Sequence, residues 1–467
     1  MDKTYFAFGA VLAAAADPRL NNETIRTLWK GFCFQAGTLE LTPGAENTFV
    51  AGAAALPCVP EGTEFALRVT PEGVAVAGRD YSGLVHGLMA LMQRIEAVEL
   101  DEGAEAFRIE ACELESAYGI KTRMIHFCIF PETTKDFMTK CVRLAGAMQY
   151  THVCLEFWGM LRYDCLASLA WPCAWGKDFV RGLVREIREM GMEPVPMINH
   201  LGHASSSRQI GGKHVVLDQD PRQATLFSED GWSWNIRRPE KASALLRAMR
   251  AELYELFGPG EYIHLGCDEV DSYAHGDENH RLMREYLGGL VREVCAEGRR
   301  PILWGDMLLN REAVGLTKDD RGYTCNCDTP EHARAFLDAI PREAVIADWH
   351  YSLEKAPVKT SLYLQSLGFD VLGAPWYGRD CMQAHVDTVR EYGLAGVMVT
   401  TWHRLAAQMH QIVSEALQMG AYHAPWAADN RNSLRPETAA LCRKVFFVNG
   451  NYEEAGWVDE QIIKRVD

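Results

Sequence analysis

The sequence is expected to fold as a (β/α)8 barrel, preceded by a small α+β domain and followed by C-terminal helices. Three observations carry that expectation. From about Thr122 onward, short apolar, β-rich runs alternate with helical stretches. Eight such runs spread over roughly 280 residues, the count and length of a (β/α)8 barrel. No Gly-rich phosphate turn follows the first run, which disfavours a doubly wound nucleotide-binding sheet.

Each element follows from local pattern. Residues 1–115 form the first domain. Phe65-Ala66-Leu67-Arg68-Val69 and Val74-Ala75-Val76-Ala77 flank a Pro71-Glu72-Gly73 turn, a hairpin signal. Leu84, Leu88, Leu91 and Ile95 then fall at helical spacing. Residues 116–405 form the barrel. Its strands are expected at Met124–Phe130, Thr151–Trp158, Glu193–Ile198, Tyr262–Gly266, Pro301–Trp304, Ala344–Trp349, Asp370–Ala374 and Gly396–Thr401. Helices are expected between them, as at Lys135–Met148, Phe179–Met190, Ala242–Phe257 and Arg281–Glu297. Residues 406–467 form a helical extension, with helices at Leu405–Met419 and Pro436–Phe447. They would pack on the barrel or serve a contact within a homo-oligomer.

Composition bounds the partners. The 467 residues are 48% hydrophobic and 24% charged, an ordinary globular balance, and the chain is long enough for two or three domains. The formal net charge of −16 disfavours nucleic acid and anionic membranes. The 14 cysteines have no repeated spacing and several lie in apolar runs, which suits free thiols in a reducing compartment. The apolar run from Tyr5 to Ala16 follows Lys3 and has the look of a leader, but Gly9 interrupts it and it reads equally as a buried strand. A cytoplasmic location is expected.

Barrel chemistry sits at the C-terminal ends of the strands. The fourth strand runs into His264-Leu265-Gly266-Cys267-Asp268-Glu269. Two adjacent carboxylates there can divide the work of glycoside cleavage, one protonated and one ionised. An exposed acidic loop is the plain alternative. The other strand ends carry Glu156 and Trp158, Trp304 and Asp306, Trp349 and His350, Trp376 and Tyr377, and Trp402 and His403. So many aromatics at one mouth suggest an apolar-walled pocket that stacks on a sugar or encloses a small apolar group. The third strand leads into His200-Leu201-Gly202-His203, but no four-ligand metal spacing accompanies it. No metal or cofactor is expected.

The stretch His264-Leu265-Gly266-Cys267-Asp268-Glu269 resembles the His-x-Gly-x-Asp-Glu motif of family 20 β-N-acetylhexosaminidases. Phe65–Ile95 is similar to that family's N-terminal domain, and Met197–Ala204 to its strand-three ending, whose histidine falls on His203. The resemblance runs in order over about residues 60 to 405. It implies a retaining mechanism in which the substrate's own 2-acetamido oxygen attacks the anomeric carbon. Asp268 would orient the acetamide, and Glu269 would protonate the leaving oxygen and then activate water. Trp304, Trp349 and Trp402 would wall in the acetamide methyl, Tyr377 would bond its carbonyl, and Arg123 would hold sugar hydroxyls. Glu156 would support a link between His203 and Glu269.

Departures from the family pattern are informative. Cys267 and Asn199 stand where Gly and Asp are usual. His403 follows the strand-eight Trp directly, and Arg379 displaces the strand-seven acid to Asp380. These changes make the corner that reads the sugar's 4- and 6-positions more cationic, and a preference for a 4-epimer, or for a sugar carrying sulfate or phosphate there, is expected. Two other readings remain: a catalytically silent carbohydrate-binding barrel, and a metal-dependent hydrolase using His200, His203 and His264.

Overall fold

The computed structural model describes residues 3–99, 105–205, 216–376, 378–402, 405–420 and 435–445. Among them lies a closed barrel of eight parallel strands. The strands are β1 (Thr122–Cys128), β2 (His152–Glu156), β3 (Glu193–Met197), β4 (Tyr262–His264), β5 (Arg300–Trp304), β6 (Val345–Trp349), β7 (Asp370–Ala374) and β8 (Gly396–Val399). All eight expected runs are strands. β4 is shortest because Gly266 and Cys267 take positive φ and leave the ladder early.

The surrounding helices are α1 (Lys135–Ala147), α2 (Lys177–Glu189), α3 (Pro239–Phe257), α4 (Asp277–Ala296), α5 (Pro330–Ala339), α6 (Lys359–Ser366), α7 (Arg379–Tyr392) and α8 (Met409–Gln418). A further helix, α9, spans Arg435–Val445. The ring closes through the helix that sequence placed in a separate extension: α8 packs against α1. The Tyr150 hydroxyl donates to Ile412 O at 3.0 Å across that seam.

Strand alternation sorts residues between lumen and helix layer. Met124, Cys154, Val195, Met197, Ile302, Trp304, Ala347, Ala374 and Met398 form one buried cluster inside the barrel. The opposite parity, such as Ile125, Val153 and Leu303, joins the larger core under the helices.

The N-terminal domain is a six-stranded sheet in the order Thr38–Pro43, Val11–Ala16, Thr48–Gly52, Gly73–Gly78, Phe65–Thr70, Cys112–Glu115. The hairpin at Phe65–Gly78 is antiparallel, as its turn signal indicated. The apolar run near the N-terminus divides at Gly9 into two strands, Tyr5–Gly9 and Val11–Ala16. The helix Tyr81–Met92, capped by Asp80 accepting from Gly83 N, lies on the sheet and contacts α1. All 14 cysteines are free thiols. Among the described residues, no helix is long and apolar enough to cross a membrane.

Candidate active site

Asp268 and Glu269 lie just past β4, at the C-terminal mouth of the barrel. The backbone there is unusual. Cys267, Glu269 and the facing His203 all have positive φ, at 72°, 45° and 58°. Such conformations cost roughly 1–3 kcal/mol each in non-glycine residues and persist only where the surroundings enforce them. The enforcement is visible. A Cβ on Gly202 would collide with the Asp268 carbonyl, and one on Gly266 would collide with the Asn199 side chain. The loops after β3 and β4 therefore pack backbone to backbone. Glu269 N donates to Asp306 Oδ2 at 3.0 Å, and Trp232 Nε1 donates to Glu269 O at 2.6 Å.

This packing brings three groups together. His203 Nε2 lies 3.2 Å from Asp268 Oδ2 and 3.2 Å from Glu269 Oε2. The two carboxylates differ in setting: Asp268 is buried, whereas the Glu269 side chain is 47% exposed. The His203 ring is itself held between Trp158, stacked at 6.0 Å, and Trp232 at 4.4 Å.

A third carboxylate sits below. Asp306 is 1% exposed and accepts from Glu269 N, Asn326 Nδ2 and Trp349 Nε1. Burial, and then the negative charge of Asp268, push its pKa up to about 7. His264, also in the lumen, is driven down to about 3 by burial and by neighbouring His126, so it is neutral.

The tryptophans gather as expected. Trp304 forms the floor, with Trp402 5.9 Å away. Trp349 and Trp376 pack on either side of Tyr351, at 4.9 and 5.4 Å. Trp402 Nε1 donates to the Tyr351 hydroxyl at 2.9 Å. Tyr351 was not anticipated, although it stands two residues beyond Trp349 and so shares its parity. Asp306 was noted at its strand end but not assigned a role. Trp232 lies in a long loop with no sequence signal.

Other expected residues fall elsewhere. Arg123 is a correction. It lies five residues before the end of β1, which at ~3.3 Å per residue is roughly 16 Å below the mouth. Its parity also turns it out of the lumen. The guanidinium makes a two-point ion pair with Glu64 of the N-terminal domain, at 2.6 and 2.9 Å, and donates to Gln149 O and Ile120 O. The lumen-facing residue of that strand is His126, whose ring lies 4.8 Å from Trp402. Glu156 is in the lumen but is tied to two other partners. His126 Nε2 is 3.0 Å from its Oε2, and Asn199 Nδ2 donates to its Oε1 at 2.6 Å.

Asp380 is exposed in the first turn of α7, beside the exposed Arg379. Tyr377 and His403 lie outside the described residues. The set His200, His203 and His264 is not assembled. His200 faces the helix layer, with Nε2 3.0 Å from an Arg250 guanidinium nitrogen, and His264 lies against Trp304 inside the barrel. His350 is likewise structural, held by Thr360 and Asp348.

No known protein-family profile matches the chain, and no curated protein matches it. Solved structures do match in shape. A GH20 exo β-N-acetylglucosaminidase from Vibrio harveyi in complex with N-acetylglucosamine aligns with a TM-score of 0.64 at 13% identity, covering 95% of this chain and 74% of that one. A β-N-acetylhexosaminidase from Bacteroides fragilis gives 0.60 at 15% identity, covering 100% and 92%. A Streptomyces plicatus β-hexosaminidase in complex with product GlcNAc gives 0.60 at 14%, covering 92% and 94%. At such identities the likeness establishes the architecture: a barrel preceded by an α+β domain.

Proposed function

We propose that the chain is a retaining exo-β-N-acetylhexosaminidase that removes terminal β-linked GlcNAc or GalNAc. The observation that carries this reading is the His203–Asp268–Glu269 cluster under a tryptophan wall at the barrel mouth. The fold shared with GlcNAc-bound hexosaminidases supports it.

The unequal exposure of the two carboxylates suits unequal roles. Buried Asp268 is placed to accept a hydrogen bond from the acetamide N–H. It thereby holds the acetamide oxygen against the anomeric carbon and offsets the positive charge of the oxazolinium intermediate. Half-exposed Glu269 can reach the leaving oxygen to protonate it, and afterwards a water. His203 contacts both and fixes their separation. Trp304, Trp349 and Trp402 enclose the acetamide methyl. The Tyr351 hydroxyl accepts from Trp402 Nε1 beside that pocket. Arg379 and Asp380, exposed at the start of α7 just after β7, are the residues from which the reading of the 4- and 6-positions is inferred, and Arg379 is the group that would take a 6-sulfate or 6-phosphate.

The test is release of 4-nitrophenol from its β-GlcNAc and β-GalNAc glycosides, for the wild type and Glu269→Gln. Turnover that collapses in the variant is the expected result. No turnover on either glycoside, or on their 6-sulfated forms, would leave a barrel that only binds sugar. Equal rates on plain and 6-sulfated glycosides would remove the charged-substituent proposal.

A further inference from the structure

A second cluster of ligand-type side chains lies on the rim of the same barrel face, and the glycosidase reading does not use it. His280, Asp328 and His332 each place a ligand atom within 4.8 Å of the others. They come from two different β–α connections. His280 is in the first turn of α4, which follows β4. Asp328 precedes α5, and His332 is in its first turn.

Both imidazoles lie against one carboxylate oxygen. His332 Nδ1 is 3.1 Å from Asp328 Oδ1, and His280 Nε2 is 3.4 Å from the same oxygen. Ligand atoms of a tetrahedral site with ~2.0–2.1 Å bonds lie roughly 3.3–3.4 Å apart. The outer contacts also fit. His332 turns its other nitrogen, Nε2, to Asp277 Oδ1 at 3.3 Å. A carboxylate on the far nitrogen of a histidine is the arrangement that orients metal-binding imidazoles. His280 is 4% exposed, and its Nδ1 has no hydrogen-bond partner among the described residues. Its Nε2 donates to the Ala274 carbonyl at 2.8 Å, a bond that coordination through Nε2 would exchange for the metal. His275, exposed on the same loop, has Nδ1 3.8 Å from Asp328 Oδ2 and can complete the shell.

We propose that His280, Asp328 and His332 bind a divalent transition-metal ion of the zinc class. Two or three imidazoles with one carboxylate suit zinc, whereas magnesium and calcium require shells of oxygen. The ion would clamp the loop after β4 to the loop after β5. Those loops already meet at the candidate active site: Asn326, two residues before Asp328, donates to Asp306, which accepts from Glu269 N. The proposed role is structural and holds whether or not the barrel cleaves glycosides.

The test uses full-length protein stripped with a chelator, desalted, and titrated with ZnCl2 by calorimetry, with thermal melting in parallel. One equivalent of zinc should bind and raise Tm, and MgCl2 and CaCl2 should do neither. His332→Gln and Asp328→Asn should each abolish both effects, circular dichroism confirming their fold. Asp277→Asn should weaken binding by roughly 10–100-fold. Co2+ should give a visible absorption band that His332→Gln loses. The His203–Asp268–Glu269 group is the competing site, so Glu269→Gln serves as control and should bind zinc like the wild type. Absence of saturable binding, binding that survives both His332→Gln and Asp328→Asn, or binding lost only in Glu269→Gln would each overturn the proposal.

Discussion

The two ends of the barrel handle buried charge in opposite ways. At the N-terminal end, Arg123 meets Glu64 in a two-point pair, His86 adds a contact to Glu64 at 2.9 Å, and the guanidinium lies 4.0 Å over the Tyr118 ring. Burial alone would raise the Glu64 pKa, but His86 and Arg123 together hold it at about 2. At the C-terminal end, Asp268, Glu269 and Asp306 crowd together with one histidine among them, and Asp306 is pushed up to about 7. One end is compensated and locks the N-terminal domain to the barrel. The other is under-compensated, which is how a reactive site is recognised. In such barrels the bottom face serves stability and the top face chemistry.

The largest expected effect tests that division directly. Glu269→Gln should reduce kcat on the aryl glycosides by roughly 10²–10⁴-fold, the usual worth of a general acid–base group. Its urea midpoint should stay close to the wild type, because the side chain is half exposed. Arg123→Met should do the reverse. Leaving Glu64 without its partner should cost about 3 kcal/mol, the low end for a broken buried pair, since Glu64 is 28% exposed. Urea denaturation reads the loss, and kcat at permissive temperature should be nearly unchanged. A large kcat loss in Arg123→Met would restore a role for this residue in sugar binding.

The two ends should also differ in the sign of their pH dependence. Glu64 has a lowered pKa, so its stabilisation is present above about 4.5 and is lost as pH falls toward about 2. Asp306 has a raised pKa, so the folded state holds a proton that the unfolded state releases. Its contribution is full below about 3.8 and is lost as pH rises through about 7. Asp306→Asn should therefore remove a decline of about 4 kcal/mol between pH 4 and pH 8 in urea-derived stability. A variant with the same slope as the wild type would show that Asp306 ionises normally.

The smallest effect concerns the strained turn. Cys267 has φ 72°, and its Sγ donates to Leu265 O at 3.4 Å. Cys267→Gly should be more stable than Cys267→Ala by about 1 kcal/mol, because only glycine relieves the backbone while both lose the thiol. Equal melting temperatures would mean that the loop relaxes around alanine.

Much of the site was legible because it sits at strand ends, where period-two alternation and chain order fix position. Trp304, Trp349, Trp376 and Trp402 share the parity of the lumen cluster and gather as expected. Arg123 could have been excluded by the same rule, since it alternates with lumen-facing Met124 and His126. The departure at Asn199 also gains a reason. An acid at 199 would face the Glu156 carboxylate as a like charge, whereas Asn199 donates to it.

The sequence by itself determined the order and type of the barrel's elements, its closure, and the place of Asp268 and Glu269 at its mouth. It could do so because those features follow from local periodicity and from position along a strand. Only the tertiary structure decided that Asp306 supports the backbone of Glu269. The same holds for the closure of the helical ring by α8, and for the meeting of His280 with Asp328 and His332. Each of these depends on contacts between loops far apart in sequence. Burial and through-space charge set such contacts, and neither leaves a periodic trace in the chain.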